Sequence, residues 1–239
     1  MGRGYRAPSL FERFGAGFDP VYGYTVYGDP LLKPEHSIGL DAGIDQSFWQ
    51  GRLTTSGSYF YTWLQNVINF DTSGVIDPAN DQYGRFIGYA NTQGGISRGF
   101  ELSATAAPAR SLRVTTAYTY VNALERTPIV GNGLQSFVSP RNQFSMVITE
   151  RPTPRLLLTC DALAWSSNLA PVYGNVVTQT YRFGGLHKAN LGASYRIPMK
   201  DYQAIRLFAR LNNIVNQTYF ESGFLTPERT ASAGLEWQF

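Results

Sequence analysis

The chain has 239 residues and a net charge of +3, with 15% of its residues charged and 14% aromatic. A typical soluble domain carries about 25% charged residues, so this composition is unusual for one. The 20 basic residues are scattered along the chain without forming a run, which argues against a nucleic-acid partner. Cys160 is the only cysteine, which excludes an intramolecular disulfide, and no Cys/His cluster has the spacing of a zinc site.

No segment has the pattern of a membrane-spanning helix. The longest uncharged run covers residues 162–181 and is interrupted by Asn168, Pro171, Gly174 and Asn175. A transmembrane β-barrel remains compatible, because its strands alternate apolar and polar residues and therefore escape hydropathy averages. No apolar signal segment follows Met1, and we therefore expect the chain to be part of a longer protein.

Alternation of apolar and polar residues with period 2 predicts about nine strands. Most of them are nine residues or longer, whereas strands of soluble proteins average about 5–6 residues and a tilted membrane strand needs about 9–11. In chain order they cover residues 37–45, 53–70, 100–106, 112–120, 141–149, 156–165, 189–196, 205–212 and 230–239.

The connections between these strands alternate strictly between short and long. The short ones lie near residues 48–52, 107–111, 150–155 and 197–203, and the long ones at 5–34, 71–83, 123–137, 166–183 and 216–227. This alternation is typical of an outer-membrane barrel, which has tight periplasmic turns and long extracellular loops. The fold class expected is therefore all-β, an antiparallel transmembrane barrel segment whose final strand ends at the periplasmic edge.

The two faces of the predicted strands differ in polarity, and this assigns the Ile/Leu/Ala/Val face to lipid and the Arg/Asp/Asn/Thr face to the lumen. Aromatic residues cluster at the predicted strand ends, where we expect them to form two interfacial girdles. Toward the extracellular side these are Tyr59, Tyr61 and Trp63, and toward the periplasmic side Trp49, Tyr195, Trp237 and Phe239.

Three sequence motifs lie along the chain. The first runs from Gly2 to Glu12 and contains Arg6, Ala7, Pro8, Ser9 and Leu10, and the second runs from Gly28 to Glu35 and contains Lys33 and Pro34. The third comprises Asn212, Asn213, Asn216 and Tyr219. These motifs resemble those of the TonB-dependent outer-membrane receptors, in which Asn is usual at the position of Asp29 and Leu-Phe-Asp where this chain has Ile-Val-Asn. The closing segment 234–239 is similar to the last strand of the family, in which Leu235, Trp237 and Phe239 would form the sorting signal read by the barrel assembly machinery.

This resemblance covers the whole chain but only the last part of the family's architecture. The family's barrel has 22 strands and a plugged lumen. About nine to ten strands over residues 1–239 would be its C-terminal part, without the plug domain and the N-terminal strands. The resemblance implies localisation in the bacterial outer membrane, contact with its lipid, and energised uptake through an inner-membrane TonB complex that acts on the missing plug region.

The ligand implied by the resemblance is a scarce small-molecule chelate such as a ferric siderophore, or cobalamin. Aromatic side chains pack on a bulky chelate or macrocycle, and Arg pairs with anionic groups. Candidates in the long loops and the upper lumen wall are Tyr83, Arg85, Phe86, Tyr89, Arg141, Trp165, Tyr173 and Tyr181. The alternative for each of these residues is stiffening of a loop or contact with the plug.

Other function classes find less support. The loop 71–81 carries three carboxylates, but their spacing is irregular for calcium, so we expect a solvated loop and no resident metal or cofactor. The only histidines, His36 and His187, have no catalytic partner by spacing, so we expect no enzyme. A passive porin-like channel is the alternative function, and an adhesive barrel is a third, although no internal repeat is present.

Overall fold

A computed structural model describes residues 1–19, 23–71, 76–125, 140–173, 178–200, 203–221 and 224–238. Within them lie eighteen strands and one short helix. The elements in chain order are β1 (Gly2–Arg6), α1 (Leu10–Phe14), β2 (Ala16–Asp19), β3 (Gly23–Val26), β4 (Glu35–Phe48), β5 (Leu53–Gln65), β6 (Ile68–Asp71), β7 (Gly88–Asn91), β8 (Gly95–Ala106), β9 (Leu112–Glu125), β10 (Asn142–Thr153), β11 (Leu156–Trp165), β12 (Asn168–Tyr173), β13 (Thr178–Phe183), β14 (Leu186–Pro198), β15 (Ala204–Asn212), β16 (Phe220–Glu221), β17 (Phe224–Leu225) and β18 (Thr230–Gln238).

Ten of these strands form one antiparallel sheet in the order β1-β4-β5-β8-β9-β10-β11-β14-β15-β18. Each strand pairs with the next long strand along the chain, as in an up-and-down barrel. β1 and β18 are the two edges of this sheet, so the described strands form an open segment of barrel wall. The predicted fold class, with about nine full strands and a short first strand, is confirmed.

The pairing register places most of the apolar residues of the long strands on one face. Directly opposed residues share a face, and one continuous row runs Leu158, Ala193, Ala209 and Ala233 across β11, β14, β15 and β18. The row below it contains Tyr195, Leu207 and Leu235. This is the face that the sequence assigned to lipid.

The opposite face carries the polar residues and is stabilised by ion pairs across the strands. Arg210 Nη2 lies 3.1 Å from Asp161 Oδ1, and Arg206 pairs with Glu236 between β15 and β18. Asn190 Nδ2 donates to Asp161 Oδ2 at 2.5 Å. A hydrated lumen accommodates such groups, whereas lipid does not.

The short connections join the strands at the end where β18 finishes, and the long ones lie at the opposite, upper end. The turn after β4 uses three residues with positive φ, namely Trp49, Gln50 and Gly51 at 51°, 57° and 84°. The backbone reversal of this turn requires these left-handed conformations. The predicted alternation of short and long connections is therefore confirmed.

The long connections differ from the prediction in having secondary structure of their own. Four of them contain a two-stranded ribbon, formed by β2-β3, β6-β7, β12-β13 and β16-β17. The single strand predicted over residues 53–70 is wrong, because β5 ends at Gln65 and Asn66 adopts a left-handed φ of 53°. Beyond that break, Ile68–Asp71 leaves the sheet and pairs with Gly88–Asn91.

The helix α1 has a local cause in the sequence. Ser9 is its N-cap and forms a capping box with Glu12. The Glu12 backbone N–H donates to the Ser9 hydroxyl, and the Ser9 backbone N–H donates to the Glu12 carboxylate. The helix ends at Gly15, whose N–H donates to the Phe11 carbonyl at 2.7 Å. None of the helices in the described ranges is long and apolar enough to cross a membrane.

Candidate functional site

The first family motif forms a cluster of ion pairs, Arg6 with Glu12 and Glu35, at the upper end of the sheet. Arg6 Nη1 donates to Glu12 Oε1 at 2.9 Å, while Arg6 Nε and Nη2 donate to the two oxygens of Glu35, each at 2.6 Å. Glu35 Oε1 also accepts the backbone N–H of Ile68 at 2.8 Å. One arginine thus joins the end of β1, the helix α1 and the start of the loop that follows β5.

The Glu12 carboxylate is held ionised by its partners. Burial by itself raises its pKa, but hydrogen bonds from the Ser9 backbone, the Arg6 guanidinium and the Ser9 hydroxyl outweigh burial and keep the pKa of Glu12 below its ordinary value. The capped helix turn and the ion pairs of Arg6 therefore stabilise each other at neutral pH.

Arg85 joins the loop before β4 to the loop after β5. It is 5% exposed, and its Nε donates to Asp81 Oδ1 at 2.9 Å. Its Nη1 donates to the carbonyl oxygens of Tyr27, Gly28 and Tyr89 at 3.2, 3.1 and 3.0 Å. Its Nη2 lies 3.3 Å from Asp29 Oδ2. The guanidinium is therefore surrounded by acceptors from its own chain.

Aromatic rings and one amide complete the junction of these two loops. Phe70 packs edge-on against Tyr27 and Tyr89, with ring centroids 5.4 and 5.0 Å apart. Asn91 accepts the Lys33 N–H at 2.7 Å and donates to the Lys33 carbonyl at 2.9 Å. We call the described parts of residues 7–34 and 66–94 the two-loop unit, because these contacts make them one packed body above β1, β4, β5 and β8.

Four of the predicted ligand residues lie on the two-loop unit, and the structure separates their roles. Tyr83 is 48% exposed and lies at the surface of the unit. Phe86 is half-buried. Tyr89 is half-buried and packs against Phe70, and Arg85 is buried with internal acceptors. Arg85 and Tyr89 therefore hold the unit together, and Tyr83 is the most exposed of the four residues.

The other four predicted ligand residues lie over β10, β11 and the ribbon between β11 and β14. Arg141 is exposed directly before β10, and Trp165 ends β11 opposite Gln143, so both lie at the upper edge of the lumen-facing side. Tyr181 is 49% exposed on β13, and Tyr173 ends β12. The structure thus brings the predicted residues together as two groups at the upper rim.

The third family motif builds the start of the last long loop. Asn213 is 1% exposed with a left-handed φ of 51°. Its Nδ2 donates to the Gln217 carbonyl at 2.9 Å, and its backbone N–H donates to Asn190 Oδ1 at 2.8 Å. Gln217 Oε1 in turn accepts the His187 backbone N–H at 2.6 Å. These residues are therefore structural, a role that the sequence motif alone did not reveal.

The carboxylates of the loop 71–81 are used within the loop. Asp77 Oδ1 accepts the Ala79 N–H at 3.0 Å, Asp71 Oδ2 accepts the Ile76 N–H at 3.1 Å, and Asp81 binds Arg85. Hydrogen bonds from the Arg85 guanidinium lower the pKa of the Asp81 carboxyl. Across the described ranges, no group of three or more His, Cys, Asp or Glu residues is placed to hold a metal ion.

The remaining predicted residues lie on the strands. Leu235 and Trp237 are exposed on the apolar face of β18, opposite Leu207 and Ile205, and Phe239 lies outside the described residues. His36 packs edge-on against Tyr5 at 5.3 Å, and His187 lies on the apolar face of β14 opposite Ala164.

Known proteins share this architecture. The chain is 23% identical over 216 residues to a metal-pseudopaline receptor, CntO, of Pseudomonas aeruginosa, a match that covers 90% of the chain and 28% of that receptor. Among solved structures, the ferric enterobactin receptor PfeA of P. aeruginosa is 20% identical with a TM-score of 0.68, over 98% of this chain and 37% of that one. The ferripyoverdine receptor of the outer membrane of P. aeruginosa is 19% identical with a TM-score of 0.66, over 83% and 26%.

The similarity to these solved structures shows the fold, and a match to a family model shows the family. The chain spans between 26% and 37% of the length of these relatives. The family model described as TonB dependent receptor-like, beta-barrel, matches residues 2–214, which is most of the chain. The chain therefore belongs to the TonB-dependent receptor-like β-barrel family of the bacterial outer membrane.

Proposed function

We propose that this chain forms the C-terminal wall of an outer-membrane receptor that takes up a scarce metal chelate with energy from an inner-membrane TonB complex. The observation that carries the proposal is the ten-stranded sheet with one apolar face, a polar lumen face and large structured loops at one end only. Its family membership and the receptor names of its relatives support the same role.

The rest of the receptor would be supplied by additional strands and a plug domain. β1 and β18 are edges of the described sheet, and an open sheet edge is not tolerated in lipid because its backbone N–H and C=O groups lack partners. Further strands paired to both edges would close the barrel. A plug inside the lumen is the part that the TonB complex would contact, and the assembly machinery would read Leu235, Trp237 and Phe239.

The proposed ligand is an anionic chelate such as a ferric siderophore. Two of the relatives are named for ferric ligands and one for a metal-pseudopaline complex. In this chain, the groups at the rim that fit such a ligand are the exposed Tyr83, Arg141 and Tyr181 and the half-buried Trp165, since aromatic rings pack on a chelate and Arg pairs with its carboxylates or phenolates.

Uptake of radiolabelled ferric siderophores by metal-starved cells tests this proposal. Cells that make the intact receptor should accumulate one of the chelates only while the inner membrane is energised and TonB is present. Deletion of the gene should abolish that accumulation. Uptake that persists without energy would identify a passive channel instead, and the absence of any accumulation from a panel of ferric, nickel, zinc and cobalt chelates would contradict the chelate assignment.

A further inference from the structure

Arg98 is a charged residue on the mostly apolar lipid face of the sheet. It lies on β8 in phase with Ile96, Phe100 and Leu102, so its side chain belongs to the apolar face. Arg98 is exposed, and its guanidinium has no ion pair or hydrogen bond with any residue that the structure describes. A lipid-facing Arg costs about 2–4 kcal/mol at the bilayer midplane and about 0–1 near an interface. Its position therefore requires a polar environment.

The neighbours of Arg98 place it in the upper aromatic band. Tyr61 of β5 and Asn122 of β9 lie directly opposite it on either side. Phe100 and Tyr120 form the next row below, with their rings stacked at 5.5 Å, and Trp63 lies in the row above. Such aromatic bands lie at the level of the lipid headgroups. The guanidinium is therefore at the depth of headgroup phosphates.

Asn122 supplies a second, independent observation. Its Oδ1 is buried and has no hydrogen-bond partner in the described structure. A guanidinium has five N–H donors, so one donation to this oxygen would hold Arg98 in place while the other N–H groups face outward. An Arg oriented in this way matches the oxygens of a phosphate, which it binds through paired charge-assisted hydrogen bonds.

We propose that Arg98, positioned by Asn122 and flanked by Tyr61, binds the phosphate headgroup of an outer-leaflet lipid. The acyl chains of that lipid would lie along the apolar face below, over Phe100, Leu102 and Ala104. The occupant is a lipid because the site opens toward the membrane and is bordered by apolar rows above and below. This site is separate from the chelate site at the rim and independent of transport.

Native mass spectrometry of the intact receptor tests the proposal. The receptor is exchanged into nanodiscs of dioleoyl phosphatidylcholine mixed with dioleoyl phosphatidic acid, and the retained phosphatidic acid is counted. The wild-type protein should retain one more phosphatidic acid than Arg98→Gln, with about a tenfold difference in its affinity, as expected for loss of a charge-assisted contact. Arg98→Lys, which keeps the charge but not the paired geometry, should fall between the two.

Arg113→Gln is the matched control, because Arg113 lies on the adjacent strand β9 but in phase with the lumen face. This variant should retain the lipid. Equal retention by Arg98→Gln and wild type would overturn the proposal. The guanidinium of Arg98 would then contact water and no lipid phosphate. Displacement of the lipid by added inorganic phosphate would also overturn it, since the site would then accept a free anion. The heat-dependent gel shift of each variant shows that the barrel has folded.

Discussion

Replacement of Arg85 by leucine should release the two loops of the two-loop unit from each other. The variant leaves the Asp81 carboxylate, whose side chain is 8% exposed, without its cation, and it removes the guanidinium donor from the carbonyl oxygens of Tyr27, Gly28 and Tyr89. Removing one partner of a buried ion pair costs about 3–5 kcal/mol. Taking the lower value, local opening of the unit should become about 100-fold more frequent, since 1.4 kcal/mol corresponds to a factor of ten.

Hydrogen exchange measured by mass spectrometry reads this opening directly. The informative amides are those bonded within the unit, namely Gly28 to the Gly15 carbonyl at 2.8 Å, Asp29 to Glu12 at 3.0 Å and Tyr89 to Tyr27 at 2.8 Å. They should exchange faster in Arg85→Leu, whereas the amides of β14 and β15 should not change. Arg85→Lys should give a partial effect, because an ammonium cannot reach all of these acceptors at once.

Arg182→Leu is the control for this experiment, because Arg182 is an exposed arginine in a different loop ribbon. It should leave exchange in the two-loop unit unchanged. Wild-type exchange rates at Gly28 and Tyr89 in Arg85→Leu would refute the reasoning, since the loops would then be joined by their aromatic contacts and the Asn91 bonds alone.

Three further outcomes follow from single contacts. Asn213→Ala should destabilise the start of the last loop by about 2–3 kcal/mol, because the variant loses buried hydrogen bonds and must still adopt a left-handed φ. Asn213→Gly tolerates that φ, so its loss of stability in thermal melts should be about 1 kcal/mol smaller. Hydrogen bonds from Arg85 lower the pKa of Asp81, so their pairing is complete above the ordinary Asp pKa of about 3.9 and is lost as pH falls through the lowered pKa of the folded protein. Exchange protection corrected for intrinsic rates should therefore drop across that acid range in wild type but not in Asp81→Asn. Gly99→Ala should reduce the yield of folded barrel in heat-shift gels, because a Cβ there meets a backbone carbonyl of the neighbouring strand, whereas Gly39→Ala, with its nearest neighbour at 3.7 Å, should assemble normally.

The sheet could be predicted from the sequence because its physical rule is local. Alternation along segments such as 205–212 specifies which residues face lipid, and the lengths of the connections specify which end carries the loops. The break after Gln65 could not be predicted in the same way. Residues 66–70 continue an apolar pattern, and the left-handed backbone at Asn66 depends on tertiary contacts, including the hydrogen bond from Asn91 Nδ2 to the Asn66 carbonyl at 2.8 Å.

The candidate site was harder to derive because loop residues that bind a ligand have the same composition as those that bind each other. Arg85 and Tyr89 have the chemistry expected of a chelate site, yet Arg85 is surrounded by acceptors from residues more than fifty positions earlier in the chain as well as from Asp81. The helix α1 was also missed, although Ser9 and Glu12 have the spacing of a capping box. Here the local signal was present in the sequence.

The arrangement of the two faces is tested most directly by spin labels placed one at a time along β15 of the intact receptor in lipid, after replacement of Cys160 by serine. Labels at positions 205, 207, 209 and 211 should be relaxed by oxygen, which concentrates in the bilayer, and labels at 206, 208 and 210 should not. Alternation of this kind with a period of two residues is the expected result, because Ile205, Leu207, Ala209 and Leu211 share the apolar face. Equal oxygen accessibility at all seven positions, or the opposite phase, would contradict the assignment of this chain to a transmembrane barrel wall with its polar face in the lumen.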